Sequence, residues 1–452
     1  MNDAARAVAV RILTVACAVA VTVSCTVGPD YVRPYVDMPA AYKETADAKA
    51  GAARGEIPRG RWWELFGDAE LNALEAQIEV NNQTLRAAEA RLRQAQALTD
   101  AARSRNYPTL TAGGTNLNLG VVVNWELDLW GRIRRTVEAS AATTESTADE
   151  LEAAKLSLQA QLAQNYLLLR VQDAEVRLLR ESAVRYERSL QLTRNQYRVG
   201  VASRGDVVQA EAQLMSTRAQ ALEAQVARAQ YEHAIAVLIG KAPADFSIAS
   251  APLNATFPTV PSALPSELLE RRPDIAAAER RMAAANAQIG VAEAAFYPSV
   301  SLFAGGGFGN RDFAGGAAYG MVLFDAGFLQ AQRAQAGAVY DETFANYRQT
   351  ILSAFREVED NLAALRILEE EAAVQGEAVR AARESVTITS NQYRAGTVNY
   401  LSVVVVQAAA LINERAALGI LGRRLVASVN LIKALGGGWE AEPRQAAKTP
   451  NG

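Results

Sequence analysis

Asn195-Gln196-Tyr197-Arg198-Val199-Gly200 returns 196 residues later as Asn391-Gln392-Tyr393-Arg394-Ala395-Gly396. Leu238-Ile239-Gly240 meets Ala434-Leu435-Gly436 at the same offset. Asn106-Tyr107-Pro108-Thr109-Leu110 meets Phe296-Tyr297-Pro298-Ser299-Val300 at an offset of 190. Such a two-fold repeat governs the fold, because each copy is one structural unit. Within a copy the order reads helix, strand pair, long helix, turn, long helix. Residues 131–200 hold no proline, and Leu151, Leu158, Leu162, Tyr166, Leu169, Val176, Leu179 and Val184 recur at helical spacing. One helix of ~70 residues would measure ~105 Å. Further helices are expected over 68–105 and 203–238, then over 273–295, 326–394 and 399–435. Gly200 and Gly396 fit the left-handed position that ends a helix.

Between the helices the period changes to two. From 117 to 128, odd positions read Leu117, Leu119, Val121, Val123, Trp125 and Leu127, and even ones Asn118, Gly120, Val122, Asn124, Glu126 and Asp128. In the second copy Val300, Leu302, Ala304 and Phe308 share a face opposite Ser299, Ser301, Gly305 and Gly307, with Phe303 the exception. Phe313, Gly315, Ala317, Tyr319, Met321 and Leu323 share the next. Segments of about 9–11 residues with an apolar outside and a small, polar inside describe strands of a water-filled membrane barrel. A soluble amphipathic hairpin packed on helices has the same period. Four strands per chain cannot close a barrel, since about eight are needed. An open sheet edge in lipid leaves backbone groups unpaired. Membrane embedding therefore demands oligomers, of two chains or three.

The N-terminus reads as an address. Arg6 and Arg11 lead into an apolar run from Ile12 to Val23, too short to span a bilayer and suited to a signal peptide. Ser24-Cys25-Thr26 follows, resembling a bacterial lipobox in which the chain is cut before Cys25 and Cys25 is acylated. Cys17 leaves with the peptide, so the mature chain has no disulfide.

Composition narrows the function. The formal charge is −3, with 46 basic and 49 acidic residues, so there is no basic field for nucleic acid. The single histidine, His233, has no Cys or His cluster around it. No phosphate loop, nucleophile elbow or Cys/His pair is present, so neither enzyme chemistry nor a cofactor beyond the lipid on Cys25 is expected. The fold class expected is mainly α with a small β part. The boundaries are a signal peptide at 1–24, a strap at 25–61, repeat 1 at 62–240, a Pro-rich linker at 241–265, repeat 2 at 266–436 and a tail at 437–452. The hairpins fall at about 107–128 and 297–325, and the helical tips at 197–206 and 393–402.

Cys25 is followed by Val27-Gly28-Pro29-Asp30-Tyr31, then Arg61-Trp62-Trp63-Glu64-Leu65-Phe66-Gly67-Asp68. With Tyr107-Pro108, Trp125-Glu126-Leu127-Asp128-Leu129-Trp130-Gly131-Arg132 and Arg271-Arg272-Pro273-Asp274-Ile275, the chain resembles the TolC-type outer-membrane factors of the lipoprotein, OprM/NodT-like branch. The resemblance implies a homotrimer with a shared 12-stranded outer-membrane β-barrel above a periplasmic α-barrel of long antiparallel helices. It implies an exit duct joined by a periplasmic adaptor protein to an inner-membrane pump of the RND type, touching outer-membrane lipid and no nucleic acid. It makes the two helical corners the closed periplasmic tip, with Arg198, Arg204, Asp206, Tyr393, Arg394 and Tyr400 as gate candidates. Related sequences often carry Tyr-Leu-Asp-Val-Leu-Asp after the second corner, where this chain has Tyr400-Leu401-Ser402-Val403-Val404-Val405. Loss of both acids implies a weaker cation preference. The strand connections read as short, with Gly113-Gly114-Thr115-Asn116 the tightest. The alternative is a non-conducting periplasmic coiled-coil lipoprotein.

Overall fold

The computed structural model describes residues 26–39, 41–45, 60–115, 118–253, 258, 271–307 and 313–439. Signal peptide, Cys25, most of the linker after 253 and the tail after 439 lie outside these residues. Among them the chain forms helices α1 (Ala69–Asn81), α2 (Gln83–Ser104), α3 (Arg132–Arg198), α4 (Arg204–Leu238), α5 (Pro273–Ala294), α6 (Phe328–Arg394) and α7 (Tyr400–Ala434). Its strands are β1 (Thr109–Thr115), β2 (Asn118–Leu127), β3 (Ser299–Gly307) and β4 (Phe313–Gly320). Paired elements have equal lengths: α2 and α5 have 22 residues, α3 and α6 67, α4 and α7 35. They begin 190 residues apart for α2 and α5 and 196 apart for the other two pairs, the same offsets as the sequence repeats.

One expected helix is two. Asn82 interrupts 68–105 with extended backbone, and its carboxamide oxygen accepts from Leu85 N at 2.9 Å, capping α2. Its amide donates to the Leu238 carbonyl at 2.8 Å, tying the break to the end of α4. Elsewhere the helix starts follow N-cap chemistry, in which a short polar side chain satisfies free N–H groups. Asp68 caps α1, and Asp128 accepts from Ile133 N and Arg134 N at 2.9 Å each to cap α3.

The chain divides into two compact units. One holds the sheet, α5 and the adjoining stretches of α2, α3 and α6. Residues of α5 that face inward are mostly Ala, with Gly290, so neighbours approach closely. The other unit holds α1, α4, α7 and the remainder of α3 and α6. Its largest buried side chains include Trp62, Phe66, Leu71, Ile78, Leu162, Tyr166 and Leu167. Each such aliphatic or Phe side chain contributes about 1.5–3 kcal/mol of burial. The Trp62-Trp63-Phe66 motif is a short 3-10 turn whose rings meet edge to face.

Glu75 on α1 is an oddity in that core. It is 0% exposed and its carboxyl oxygens accept no hydrogen bond. Burial pushes its pKa well above the ordinary 4.5. The folded chain thus holds this proton more tightly than the unfolded one. The contribution favours folding below pH 4.5 and weakens it as pH rises through and beyond the carboxylate range. Glu75→Leu is expected to raise unfolding free energy at pH 7 by roughly 1–3 kcal/mol and to leave it little changed at pH 4. Urea titrations at the two pH values check this; a destabilised variant at pH 7 would assign Glu75 a partner.

Candidate functional site: the membrane sheet and the paired helical corners

The four strands form one antiparallel sheet in the order β1-β2-β3-β4. Direct partners share a face, so register decides what each face presents. Leu110 pairs with Val123, Val123 with Ala304 and Ala304 with Gly315. Trp125 pairs with Leu302 and Leu302 with Ala317; Leu127 pairs with Val300 and Val300 with Tyr319. Both repeats therefore place their apolar sets on one face. The opposite face carries Thr109, Asn124, Thr111, Glu126, Ser301 and Ala318. Two bulky residues interrupt it, each beside a glycine: Val122 opposite Gly305, and Phe303 opposite Gly316. Two sequence expectations are corrected here. β4 ends at Gly320, so Met321 and Leu323 follow the strand instead of lying in it, because nothing pairs with them. Gly113, Gly114 and Thr115 belong to β1 and pair with Gly120, Leu119 and Asn118, since glycine extends a ladder when its partner continues.

The recognised N-terminal motif is a docked strap. Val27 N donates to the Trp130 carbonyl at 3.1 Å. Arg135, 4% exposed, donates to the Val27 and Gly28 carbonyls and to Asp30 at 2.8 Å. Asn286 donates to the Pro29 carbonyl at 2.9 Å, and the Tyr31 hydroxyl donates to Glu279. Gly28, at φ +92°, lies against the Gly290 backbone, where no Cβ fits. The strap thus holds Thr26 against Gly131, at the junction of β2 and α3. Trp130 there stacks on Tyr297 with centroids 4.8 Å apart.

The helical corners lie in the other unit and are near copies. Val201 N donates to the Gln196 carbonyl at 2.8 Å and Thr397 N to the Gln392 carbonyl at 3.0 Å, the 6→1 bond of a Schellman end. Gly200 and Gly396 adopt φ +78° and +75° to allow it. Arg198 and Arg394 each bond the asparagine three residues earlier, Asn195 and Asn391. Arg204 is exposed in the first turn of α4. Asp206 closes a capping box with Ser203, accepting from Ser203 N and Oγ at 2.8 Å while its own N–H bonds Ser203 Oγ. The matching pair in the second corner is Asn399 and Ser402, whose N–H and hydroxyl both donate to Asn399 Oδ1. A hydroxyl therefore replaces the second carboxylate without loss of the cap.

Tyr393 and Tyr400 sit inside. They are 9% and 2% exposed, with ring centroids 5.4 Å apart, in one cluster with Tyr186, Leu190, Val207, Leu214 and Val403. The Tyr393 hydroxyl donates to Gln196, and the Tyr186 hydroxyl donates to the Gln407 carbonyl at 3.1 Å. Burial pushes the Tyr400 hydroxyl to about 12, helped by Tyr393, Tyr186 and Asp206 nearby. The two tyrosines fasten one hairpin to the other. Arg198, Arg204 and Arg394 remain at the surface, and Val199 and Val201 are each 74% exposed. Among the described residues no set of His, Cys, Asp or Glu is grouped to hold a metal.

The outer membrane efflux protein family profile matches residues 74–241 and 264–437, one stretch in each half. The toluene efflux pump outer membrane protein TtgC of Pseudomonas putida is 33% identical over 95% of this chain and 96% of its own length. The cation efflux system protein CusC of Escherichia coli is 29% identical over 95% and 99%. Among solved structures, the outer-membrane channel OprN shares 32% identity with a TM-score of 0.85, covering 92% of this chain and all of that one. CusC, solved in a study of its folding and transmembrane channel formation, gives 26% and 0.80 over 91% of this chain and all of its own. A repeat-built chain of long helical hairpins and a small amphipathic sheet, matched over most of its length by such channels, belongs to the outer membrane efflux protein family.

Proposed function

We propose that three copies of this chain form the exit duct of a tripartite efflux system, passing cargo from an inner-membrane pump and a periplasmic adaptor to the outside. The observation that carries this is the sheet: four strands with one continuous apolar face and two unpaired edges. Such edges are excluded from lipid, four strands are too few to close, and twelve leave a conduit lined by the polar face. The duct stands in the outer membrane and extends into the periplasm, tethered by acyl chains on Cys25. The docked strap supports that tether, because it holds Thr26, the next residue, beside the sheet. One acylated residue contributes ~0.8 kcal/mol per buried CH₂ and works with the barrel, not alone. The corners meet the adaptor, with Val199 and Val201 as apolar contacts and Arg198, Arg204 and Arg394 as polar ones. The pump is of the RND type. Relatives are named for toluene, for cations and for pyoverdine export; a duct of one design serves unlike cargoes, and selection sits in the pump. Native mass spectrometry of the detergent-extracted protein is expected to give a trimer. A monomer would remove the shared barrel.

The tip also sets ion preference. Residues 195–206 and 391–402 together contain three arginines and one acid, Asp206. Ser402 in the first turn of α7 and Val405 in the second carry no charge, and Val405 is 58% exposed. Ser402→Asp with Val405→Asp is expected to shift the reversal potential toward cations in a tenfold KCl gradient. No difference from the parent would place these residues away from the constriction.

A further inference from the structure

A cavity of about 850 Å³ opens on the polar face of the sheet, where strands meet helices, wholly within the unit that holds the sheet. Thr109, Asn124, Glu126 and Ser301 form one side, and the residues just past α2 and α5 form the others. That is the size of a small-molecule site.

The repeat shows that this cavity is built unevenly. Its lining residues come as copies. Arg105 matches Ala295 and Tyr107 matches Tyr297 at an offset of 190; Glu126 matches Val322 at 196. Both tyrosines are kept, but every charge in the lining belongs to repeat 1. Arg132 is likewise answered by Phe328, and Asp128 by Phe324. Strand β4 and helix α6 form without those charges, so the scaffold does not require them. The cavity has one charged half and one apolar half.

In the charged half the carboxylates are occupied and the arginines are not. Glu126 accepts from Arg132 Nε at 3.2 Å and from Nη2 at 2.6 Å on both oxygens. Asp128 accepts from Ile133 N, Arg134 N and the Arg134 side chain. Arg132 Nη1 and the whole Arg105 guanidinium have no partner among the described residues. Beside them lies an aromatic shelf. Trp130 donates from Nε1 to the Pro298 carbonyl at 2.7 Å, which fixes the ring that stacks on Tyr297. Tyr297 is 44% exposed and Tyr107 71%. Fixed rings and fork-shaped donors together match a planar acid. Their fixed geometry lowers the cost of binding.

We propose that this cavity binds flat organic anions, aromatic carboxylates or sulfonates, with the acid group on Arg105 and Arg132 and the ring against Tyr107 and Tyr297. An organic cation would meet two occupied carboxylates and two arginines, so the site discriminates by charge. The cavity is complete within one chain; its place along the conduit rests on the duct proposed above.

Isothermal titration of the purified protein in neutral detergent with naphthalene-2-sulfonate tests this, with native mass read on the same sample. Saturable binding is expected, about tenfold tighter than for the 2-naphthyltrimethylammonium cation or for methanesulfonate, which lacks the ring. Arg105→Ala writes the second repeat's residue into the first and should weaken the sulfonate about tenfold, with Arg105→Lys losing less. Val322→Glu does the reverse, setting a carboxylate in the apolar half, and should weaken it also. Arg105 and Val322 are exposed, so wild-type urea midpoints are expected and separate lost binding from lost fold. Equal binding of the sulfonate and the cation, or no loss in Arg105→Ala, would overturn the site. A trimer giving that result leaves the duct standing, whereas sulfonate-selective binding by a monomer would keep the site and overturn the duct.

Discussion

Gly240→Ala and Gly436→Ala are each expected to cost roughly 3–5 kcal/mol, the range of mutations that combine strain with overpacking, and to remove most folded protein from the membrane fraction. Both glycines follow return helices, α4 and α7, at φ +73° and +90°. That conformation alone costs an alanine about 1–2 kcal/mol. The larger part comes from contact. A Cβ on Gly240 would fall on the Asn81 carbonyl, and one on Gly436 on the Arg271 carbonyl. Asn81 and Arg271 are themselves 190 residues apart, so the same close approach is built twice. The comparison that isolates the contact term is Gly200→Ala and Gly396→Ala. Their φ values are similar, +78° and +75°, but nothing lies within 4 Å of a Cβ there. Those variants should lose only about 1–2 kcal/mol. Urea midpoints of the four variants would rank them; equal losses would show that backbone strain alone decides.

Asp173→Asn should be nearly as damaging, at about 3–5 kcal/mol, because it leaves the buried Arg170 and the partly buried Arg228 short of a counter-charge. Asp173 is 3% exposed and accepts from Arg170 at 2.9 Å, Arg228 at 2.7 Å and Ala251 N at 3.3 Å. Arg170, 1% exposed, also pairs with Glu70 and donates to the Ala249 carbonyl at 2.8 Å. Arg228 donates to the Ile248 carbonyl at 2.5 Å and pairs with Glu232 at 2.8 Å. The network straps residues 248–251, within the inter-repeat stretch, across α3 and α4. Burial raises the Asp173 pKa, but hydrogen bonds from Arg228, Ser250, Ala251 and Arg170 outweigh it and hold the carboxyl below its ordinary 3.8. A depressed folded pKa means the stability is present above pH 3.8 and is lost as pH falls through the folded value. The wild-type chain should therefore lose this contribution only below pH 4, while Asp173→Asn lacks it at every pH. Unfolding midpoints at pH 7 and pH 3.5 check both statements; a variant of wild-type stability at pH 7 would mean that the arginines find other acids.

What the sequence exposed was what backbone geometry dictates. Gly200 and Gly396 must be glycine-like because a helix turns there, so the repeat survives most visibly at the corners. The apolar face of the sheet was legible because burial in lipid forces a period of two. The break at Asn82 is hidden in the sequence because an Asn inside a polar helical run is ordinarily one more surface residue; its cap bond and its bond to Leu238 are what make it a break. The burial of Tyr393 and Tyr400 is not legible in the sequence, because tyrosine suits both a wet corner and a packed one. Their partners, Tyr186, Gln196 and Leu214, are far off in sequence. The end of β4 at Gly320 is hidden in the sequence because alternation continues through Leu323, whereas a strand needs a neighbour to pair with. Most motifs that carried the resemblance turn out to be caps and clamps: Asp68 and Asp128 start helices, and Val27 to Tyr31 dock the strap. They mark a scaffold, as expected of a duct whose work is done by its shape.

Single-channel recording of the purified protein in planar bilayers, with its native mass measured on the same sample, tests the shared barrel most directly. The expected result is a trimer that inserts and gives small, mostly closed openings, which widen when Tyr393→Ala loosens the hold between the two corners. A trimer that inserts but passes no current under any condition, or a monomer, would contradict the duct.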